Sequence, residues 1–435
     1  MTTVTLPPGP SLPRSAQGAV VLAARSQGLR RMRARYGDAF TVNVPIFGRT
    51  VVISDPDEVK QLFTASTDLV ENVRPNLGRL LGPGSLFALT GEEHREQRRL
   101  LVPPFHGRRL AAYEKTIEDE TVRETATWPE DRAFATLPSM RRITLNAILR
   151  AVFGADGAEL AELRELLPPW VASGSRLAVL PIPRTDLGRW SPWGRLRLAR
   201  RRYDAIAGRL IDEAAEGDPG ERDDVLALLL RSRHTDGSPM SRAQIADHLL
   251  TLLVAGHETT ATTLAWAIER LRRHPAILRD LAEEADAGGG ALREAAITEV
   301  QRTRPVIDVV GRHVIADGYR LGRWTLPRGC TVLVAVALMH EDEALFPHPR
   351  AFDPARFLGE QPDLYRWVPF GGGRRRCLGA AFAAMEMNVV LRTVLRRFTL
   401  LPTAEPGERR HSRGVAGAPA RGGLAVVRRR SPAAG

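Results

Sequence analysis

The spacing of apolar and polar positions changes several times along the chain, and each change marks a predicted element. Two β-branched runs stand near the N-terminus, FTVNV from Phe40 and TVVIS from Thr50, with Phe47–Gly48–Arg49 as the turn between them. A proline-rich arm (Pro7, Pro8, Pro10, Pro13) and a short helix precede them, and Asp55–Pro56 opens another helix with Asp as cap and Pro in the first turn. From about Arg108 to Leu281 the pattern is almost wholly helical, with breaks expected at Pro168–Pro169, at Pro181 to Pro183 and at Gly217 to Gly220. Strand signals return between Val306 and Val336 and end in a proline-rich segment around Pro347, Pro349 and Pro354. A last long helix runs from about Leu378 to Arg397, and the Gly-, Arg- and Pro-rich tail beyond Glu405 is expected to lose order in its last few residues. These signals predict a single domain over 1–435, mainly α with a smaller β part. That β part is drawn from about 37–56 and 306–336 plus the C-terminal tail, and alternating βα units are absent.

The longest helix starts at Ser241, with Gln244 three residues on as its capping-box partner, and is expected to continue to His274, where Pro275 stops it. At ~1.5 Å per residue this is a rod of ~50 Å. Its middle, LLTLLVAG, is apolar all round, as in a helix that crosses a core.

Composition narrows the function. An apolar fraction of 43% argues against disorder, and the net charge of +12 comes almost entirely from arginine, because Lys60 and Lys115 are the only lysines. A basic surface suits nucleic acid, an anionic membrane or an acidic protein. Nucleic acid is the weakest of these, since the arginines lack aromatic interleaving and no zinc-finger or RNA-recognition signature occurs. Two cysteines, Cys330 and Cys377, do not make a disulfide framework. The N-terminus has no signal-peptide core, and Ala19 to Ala24 is far shorter than the ~20 apolar residues that span a bilayer. The expectation is a cytoplasmic protein without a membrane anchor.

Chemistry concentrates in FGGGRRRCLG, Phe370 to Gly379. A thiolate ligand to iron needs a tightly folded backbone, supplied by Gly371, Gly372 and Gly373, and positive potential, supplied by the neighbouring arginines and the helix start after Cys377. It also needs an apolar shield, for which Phe370 is placed, while Gly379 would let a flat macrocycle approach. The plainer alternative is a glycine-rich turn with a cysteine packed as a small hydrophobe. A phosphate loop fits poorly, because GxxxxGK[ST] is absent.

Inside the long helix, AGHETT (Ala255 to Thr260) places a glycine at a cost of about 1 kcal/mol against alanine. The Thr259 hydroxyl can bond back to the Ala255 carbonyl, and Glu258 stands beside it in an apolar stretch. An acid beside an alcohol, on a widened helix over a metal, could deliver protons to bound dioxygen; an exposed polar helix face is the alternative. EVQR, Glu299 to Arg302, pairs two charges on one helical face, and FDPARF adds Arg356, so that one Glu with two Arg partners would form a structural lock.

Together these patterns resemble the cytochrome P-450 family. The family's F-x-x-G-x-R-x-C-x-G is met at Phe370, Gly373, Arg375, Cys377 and Gly379; its E-x-x-R at Glu299 and Arg302, with Arg356 as third member; and its A-G-x-[DE]-T-T at Ala255, Gly256, Glu258, Thr259 and Thr260. The resemblance implies a triangular, mainly α fold with haem b between the long central helix and the cysteine-ligand helix. It makes Cys377 the metal ligand, Glu258 and Thr259 the catalytic pair, and His94, Arg98, Arg312, Phe370, Arg375 and Gly379 the cofactor-binding set. His94 and Arg98 lie four apart in GEEHREQRR and share a helical face. Many relatives carry Trp at the His94 position, and a solvated residue in a charged run is the plain reading of His94.

The implied reaction is insertion of one atom of dioxygen into a small, hydrophobic organic substrate. Because the chain carries no flavin or iron–sulfur segment, electrons are expected from a separate ferredoxin and ferredoxin reductase, with Arg374, Arg376, Arg108 and Arg109 as part of a basic docking face. Substrate contacts are expected from Glu71 to Leu86, Pro168 to Trp193, the helix before Gly256, and Val306 to Val310. Trp170, Trp190 and Trp193 are read as core or lid residues, and Asp308 either as a polar contact or as solvent-facing. A haem sensor and a peroxide-driven or isomerising enzyme are the rivals.

Overall fold

A computed structural model describes residues 3–23, 25–44, 47–73, 76–154, 157–179, 186–217 and 222–430. The two predicted N-terminal strands form as Ala39–Val44 and Gly48–Ile53, an antiparallel pair with Phe40 opposite Val52. The second runs parallel to Thr331–Val334, which in turn pairs antiparallel with Val310–Val314. The short strand Val70–Asn72 closes the edge and sets Asn72 opposite Arg312. Segments from the two ends of the chain therefore share one five-stranded sheet. Its inner faces bury Val51, Ile53, Val314, Val332 and Val334 against Val59, Leu62 and Phe63 of the helix Pro56–Thr64. Asp55 caps that helix by accepting the N–H groups of Asp57 and Glu58.

The helical part surrounds the central helix, Arg242–Leu271, whose Ser241–Gln244 capping box is complete. It packs on Leu137–Phe153 and Ala380–Arg397 in one continuous apolar core. The central helix ends before the expected His274: Arg272 and Arg273 form a turn, and His274 becomes the residue before the next helix, Pro275–Asp286. Pro275 thus starts a helix as well as barring continuation of the previous one.

One expectation is overturned. Pro168 and Pro169 do not interrupt the chain but lie inside the helix Ala158–Val179. A proline removes an N–H and crowds the preceding turn. Here Leu160, Leu163, Leu167, Trp170 and Val171 bury one face along both halves, and that packing keeps the two halves on one axis. The expected break at Pro181 to Pro183 lies outside the described residues, as do 218–221 of the glycine break and 431–435 of the tail. Gly217 ends the helix Pro192–Glu216 as expected.

The tail up to residue 430 is ordered strand: Arg410–Ser412 pairs with Gly417–Pro419, Leu424–Ala425 with Phe134–Ala135, and Val427–Arg429 with Phe398–Leu400. The buried Glu408 carboxylate organises it by accepting N–H groups from Arg421, Gly423 and Leu424 at 2.7, 3.3 and 2.7 Å.

Candidate functional site

The cysteine loop is fixed by contacts on both sides. Cys377 N–H donates to the Phe370 carbonyl at 2.9 Å, and Phe370 stands edge-on to Trp367 at 5.8 Å. Two glycines are demanded by a close approach that the sequence did not reveal. A Cβ at Gly372 would lie 2.1 Å from the Phe63 ring, and one at Gly373, where φ is +63°, would lie 1.9 Å from the Phe63 carbonyl oxygen. At Gly379, the residue before the cysteine helix Ala380–Arg397, a Cβ would meet open space. The Cys377 thiol has open surface on one side, while protein atoms crowd the rest. Burial raises its pKa, opposed by the Gly379 N–H and by the Arg98 and Arg376 guanidinium groups.

Four of the expected cofactor-binding residues meet. His94, Arg98, Arg312 and Arg375 line one cavity of about 480 Å³, together with Phe63, Glu71 and Asn72. His94 and Arg98 come from the helix Gly91–Leu101, Arg312 from its strand, and Arg375 from the cysteine loop. Arg312 donates to the Gly311 and Gly372 carbonyls at 2.9 and 3.0 Å and lies over the Phe63 ring. Arg375 donates to the Leu86 and Leu89 carbonyls at 2.9 and 2.7 Å. Burial, with Arg375 nearby, brings Arg312 down to about 10, and burial brings Arg375 down to about 10. Burial and the three guanidinium groups pull His94 down to about 3, so its ring is neutral at ordinary pH. His94 is itself buried, unlike a solvated residue in a charged run.

Haem fits these residues. Three buried or half-buried cations, Arg98, Arg312 and Arg375, converge on one cavity, where the carboxylate of Glu71 acts on Arg375, so positive charge is in excess there. The two propionates of a haem would balance it.

On the central helix, Thr259 Oγ1 donates to the Ala255 carbonyl at 3.0 Å, as expected. Ala255 is exposed and Thr259 half-buried in the middle of an otherwise buried rod, so this face borders open space inside the core. The helix continues unbroken through Ala255–Thr260 rather than widening. The neighbouring helix comes close at Gly256, where a Cβ would sit 3.4 Å from Ile148, and the Thr144 hydroxyl donates to the His257 carbonyl at 2.9 Å. The Glu258 carboxylate pairs with Arg141 and approaches Arg413 at 3.9 Å.

Neither arginine was foreseen, nor was Glu386 of the cysteine helix, a buried acid whose carboxyl burial raises well above the usual range against a hydrogen bond from Thr260. Its one available signal is an acid alone in the apolar run AAFAAMEMNVV. Asp308 does not face solvent: it is buried and accepts Arg410 at 2.6 Å. Trp170 is core, stacked near Tyr203, Trp193 is partly buried, and Trp190 is exposed. Of the basic face, Arg374 is exposed and Arg376 and Arg109 are half-buried, whereas the side chain of Arg108 lies outside those described.

A model of the cytochrome P450 family matches residues 7–421. The chain is 57% identical over 429 residues to a Mycobacterium tuberculosis protein named cytochrome P450 138, covering 98% of this chain and 97% of the relative. It is 40% identical over 437 residues to one named cytochrome P450 135B1 from the same species, covering 98% of this chain and 92% of the relative. Among solved structures, retinoic acid-bound cyanobacterial CYP120A1 superposes with a TM-score of 0.86 at 24% identity, covering 99% of this chain and 100% of that one. No described helix is long and apolar enough to cross a membrane.

Proposed function

The chain belongs to the cytochrome P450 family, and from that premise we propose how its residues divide the work. It is a haem-dependent monooxygenase. We assign the haem as haem b, whose iron Cys377 would hold through its sulfur; when bound, it would supply the thiolate-ligated iron at which dioxygen is activated. Gly379 N–H, Arg98 and Arg376 favour the ionised sulfur that ligation requires. Arg98, Arg312 and Arg375 hold the propionates as cations, and neutral His94 adds a ring N–H donor. Phe370 shields the sulfur, and Gly379 leaves room beside it.

Thr259 and Glu258 move protons. The Thr259 hydroxyl, satisfied at rest by the Ala255 carbonyl, can turn to donate into the open space beside the helix. Glu258, half-buried between Arg141 and Arg413, takes up protons from solvent and passes them toward Thr259. The substrate is a small hydrophobic molecule, in keeping with the apolar residues Leu252, Val254 and Ala255 along the same stretch of helix. Electrons come from a separate ferredoxin and its reductase, received on the face around Arg374 and Arg376.

The observation that carries the reading is the Cys377 thiol left open near Arg98, which with Arg312 and Arg375 converges on one cavity. The test is turnover with surrogate redox partners under isotopically labelled dioxygen. One labelled oxygen atom in the product, matched to NADPH consumed, supports the reading. Absence of any coupled product with every ligand that shifts the haem spectrum would favour a sensor and overturn it.

A further inference from the structure

A second arginine-lined cavity, of about 710 Å³, lies between the helix Arg25–Tyr36 and the end of the helix Ala291–Thr303. It shares no lining residue with the cavity assigned to the propionates. Five arginines reach its wall, and three of them already have partners. Arg302 is held by Glu299. Arg33 donates to Asp38 at 2.7 Å and also pairs with Asp342, and Arg30 donates to Glu341 at 2.6 Å. The two acids on the wall, Asp38 and Glu341, are therefore engaged by these neighbours.

Arg304 and Arg350 remain, and neither makes an ion pair among the described residues. Arg304 is held in place: its Nη1 donates to the Thr303 carbonyl at 2.8 Å, and its guanidinium lies 5.3 Å over the Trp266 ring. Burial and then Arg270 bring its pKa down to about 10, while Glu269 and Glu341 act the other way. A cation withdrawn from water without a paired anion costs free energy that a bound anion would return. Arg350 lines the same cavity and is exposed. A carboxylate ligand would bring one charge to these two guanidinium groups. A phosphate monoester brings about two and has three acceptor oxygens, enough to engage both forks. The volume is that of a small-molecule site, and Ala34, Leu338 and Pro349 give the rest of such a ligand an apolar wall.

We propose that this cavity binds the phosphate group of a small phosphorylated molecule, with Arg304 and Arg350 as its anchors, and that occupancy is felt at the cysteine loop. The route is short. Arg302 and His340 belong to the same wall, and His340 joins the Arg302 carbonyl at 3.1 Å to the Val368 N–H at 3.2 Å, at the start of the segment that leads to Cys377.

The experiment is calorimetric titration of the haem-loaded protein with inorganic phosphate, at an ionic strength held constant with sodium chloride. Loading with haem keeps phosphate out of the other arginine cavity. Saturable binding of one phosphate per chain is expected, and Arg304→Gln with Arg350→Gln should weaken it at least about tenfold. Because Arg304 rests on Trp266, Arg350→Glu alone, at an exposed position, keeps the test valid should the double variant fold poorly. Arg195→Gln with Arg201→Gln removes the same charge from exposed positions of another helix and should leave the affinity unchanged. No saturable binding, or equal weakening in that control pair, overturns the proposal. Phosphate should also slow haem transfer to an apo-globin acceptor several-fold in the native chain and not in Arg350→Glu. An equal rate with and without phosphate in the native chain would overturn the link to the cysteine loop.

Discussion

Glu299 and Arg302 meet fork to fork, Nε to Oε2 at 2.6 Å and Nη2 to Oε1 at 2.7 Å, with both side chains withdrawn from solvent. The remaining Arg302 donors reach the carbonyls of His340, Pro349 and Ala351, and Glu299 Oε1 also accepts the Asp353 N–H at 3.0 Å. Arg356 stands at 3.8 Å with its side chain 15% exposed, so it is the looser third member. Removing one partner strands a buried charge, and Glu299→Ala is expected to cost about 3–5 kcal/mol. Arg356→Ala should cost about 1 kcal/mol. Urea unfolding followed by circular dichroism checks the order; equal losses would contradict it.

His340 links this lock to the cysteine loop. Its Nδ1–H donates to the Arg302 carbonyl at 3.1 Å, and its Nε2 accepts the Val368 N–H at 3.2 Å, which fixes a neutral ring. Burial drives its pKa down from 6.5 to about 3. Between those values the unfolded chain binds a proton that the native ring refuses, so the contribution to stability is whole above pH 6.5 and falls as pH drops toward 3. From pH 7 to pH 5 the loss from this residue should be about 2 kcal/mol. His340→Gln should flatten that part of the stability–pH curve, and an unchanged slope would count against the assignment.

The lock illustrates what the sequence could and could not convey. Spacing alone put Glu299 and Arg302 on one helical face, because a helix brings residues three apart together. The capping box at Ser241, the two strands joined from opposite ends of the chain, and the convergence of His94, Arg98, Arg312 and Arg375 were legible for similar reasons, local pattern plus family resemblance. His340, Phe63, Arg141 and Arg413 were not. Their roles arise from contacts between segments far apart in the chain, such as Phe63 against Gly372 and Gly373, and no local pattern encodes those. Pro168–Pro169 misled for the converse reason: a strong local breaker was overruled by a buried face running past it on both sides.

Thr259 should control how dioxygen consumption is divided. Thr259→Ala removes the hydroxyl bonded to the Ala255 carbonyl, and product formed per NADPH is expected to fall several-fold while hydrogen peroxide rises. Thr259→Ser, which keeps the hydroxyl, should retain most of the coupling. Parallel assays of NADPH, peroxide and product decide the matter, and full coupling in the alanine variant would remove Thr259 from the mechanism.

Arg312 is buried, and among the described residues its hydrogen-bond donors meet carbonyls while its guanidinium lies over the Phe63 ring. Arg312→Gln should keep most of the packing and lose the charge, so haem should leave the variant at least about tenfold faster. Transfer of haem to an apo-globin acceptor measures the rate, and an unchanged rate would show that Arg312 does not hold a propionate.

The identity of the iron ligand is tested most directly by the absorption spectrum of the reduced, carbon monoxide-bound protein beside that of Cys377→His. The native chain is expected to show the long-wavelength Soret band that a thiolate donor produces, and the variant the shorter-wavelength band of an imidazole donor. A native spectrum already at the imidazole position in folded, haem-loaded protein would contradict the assignment of Cys377.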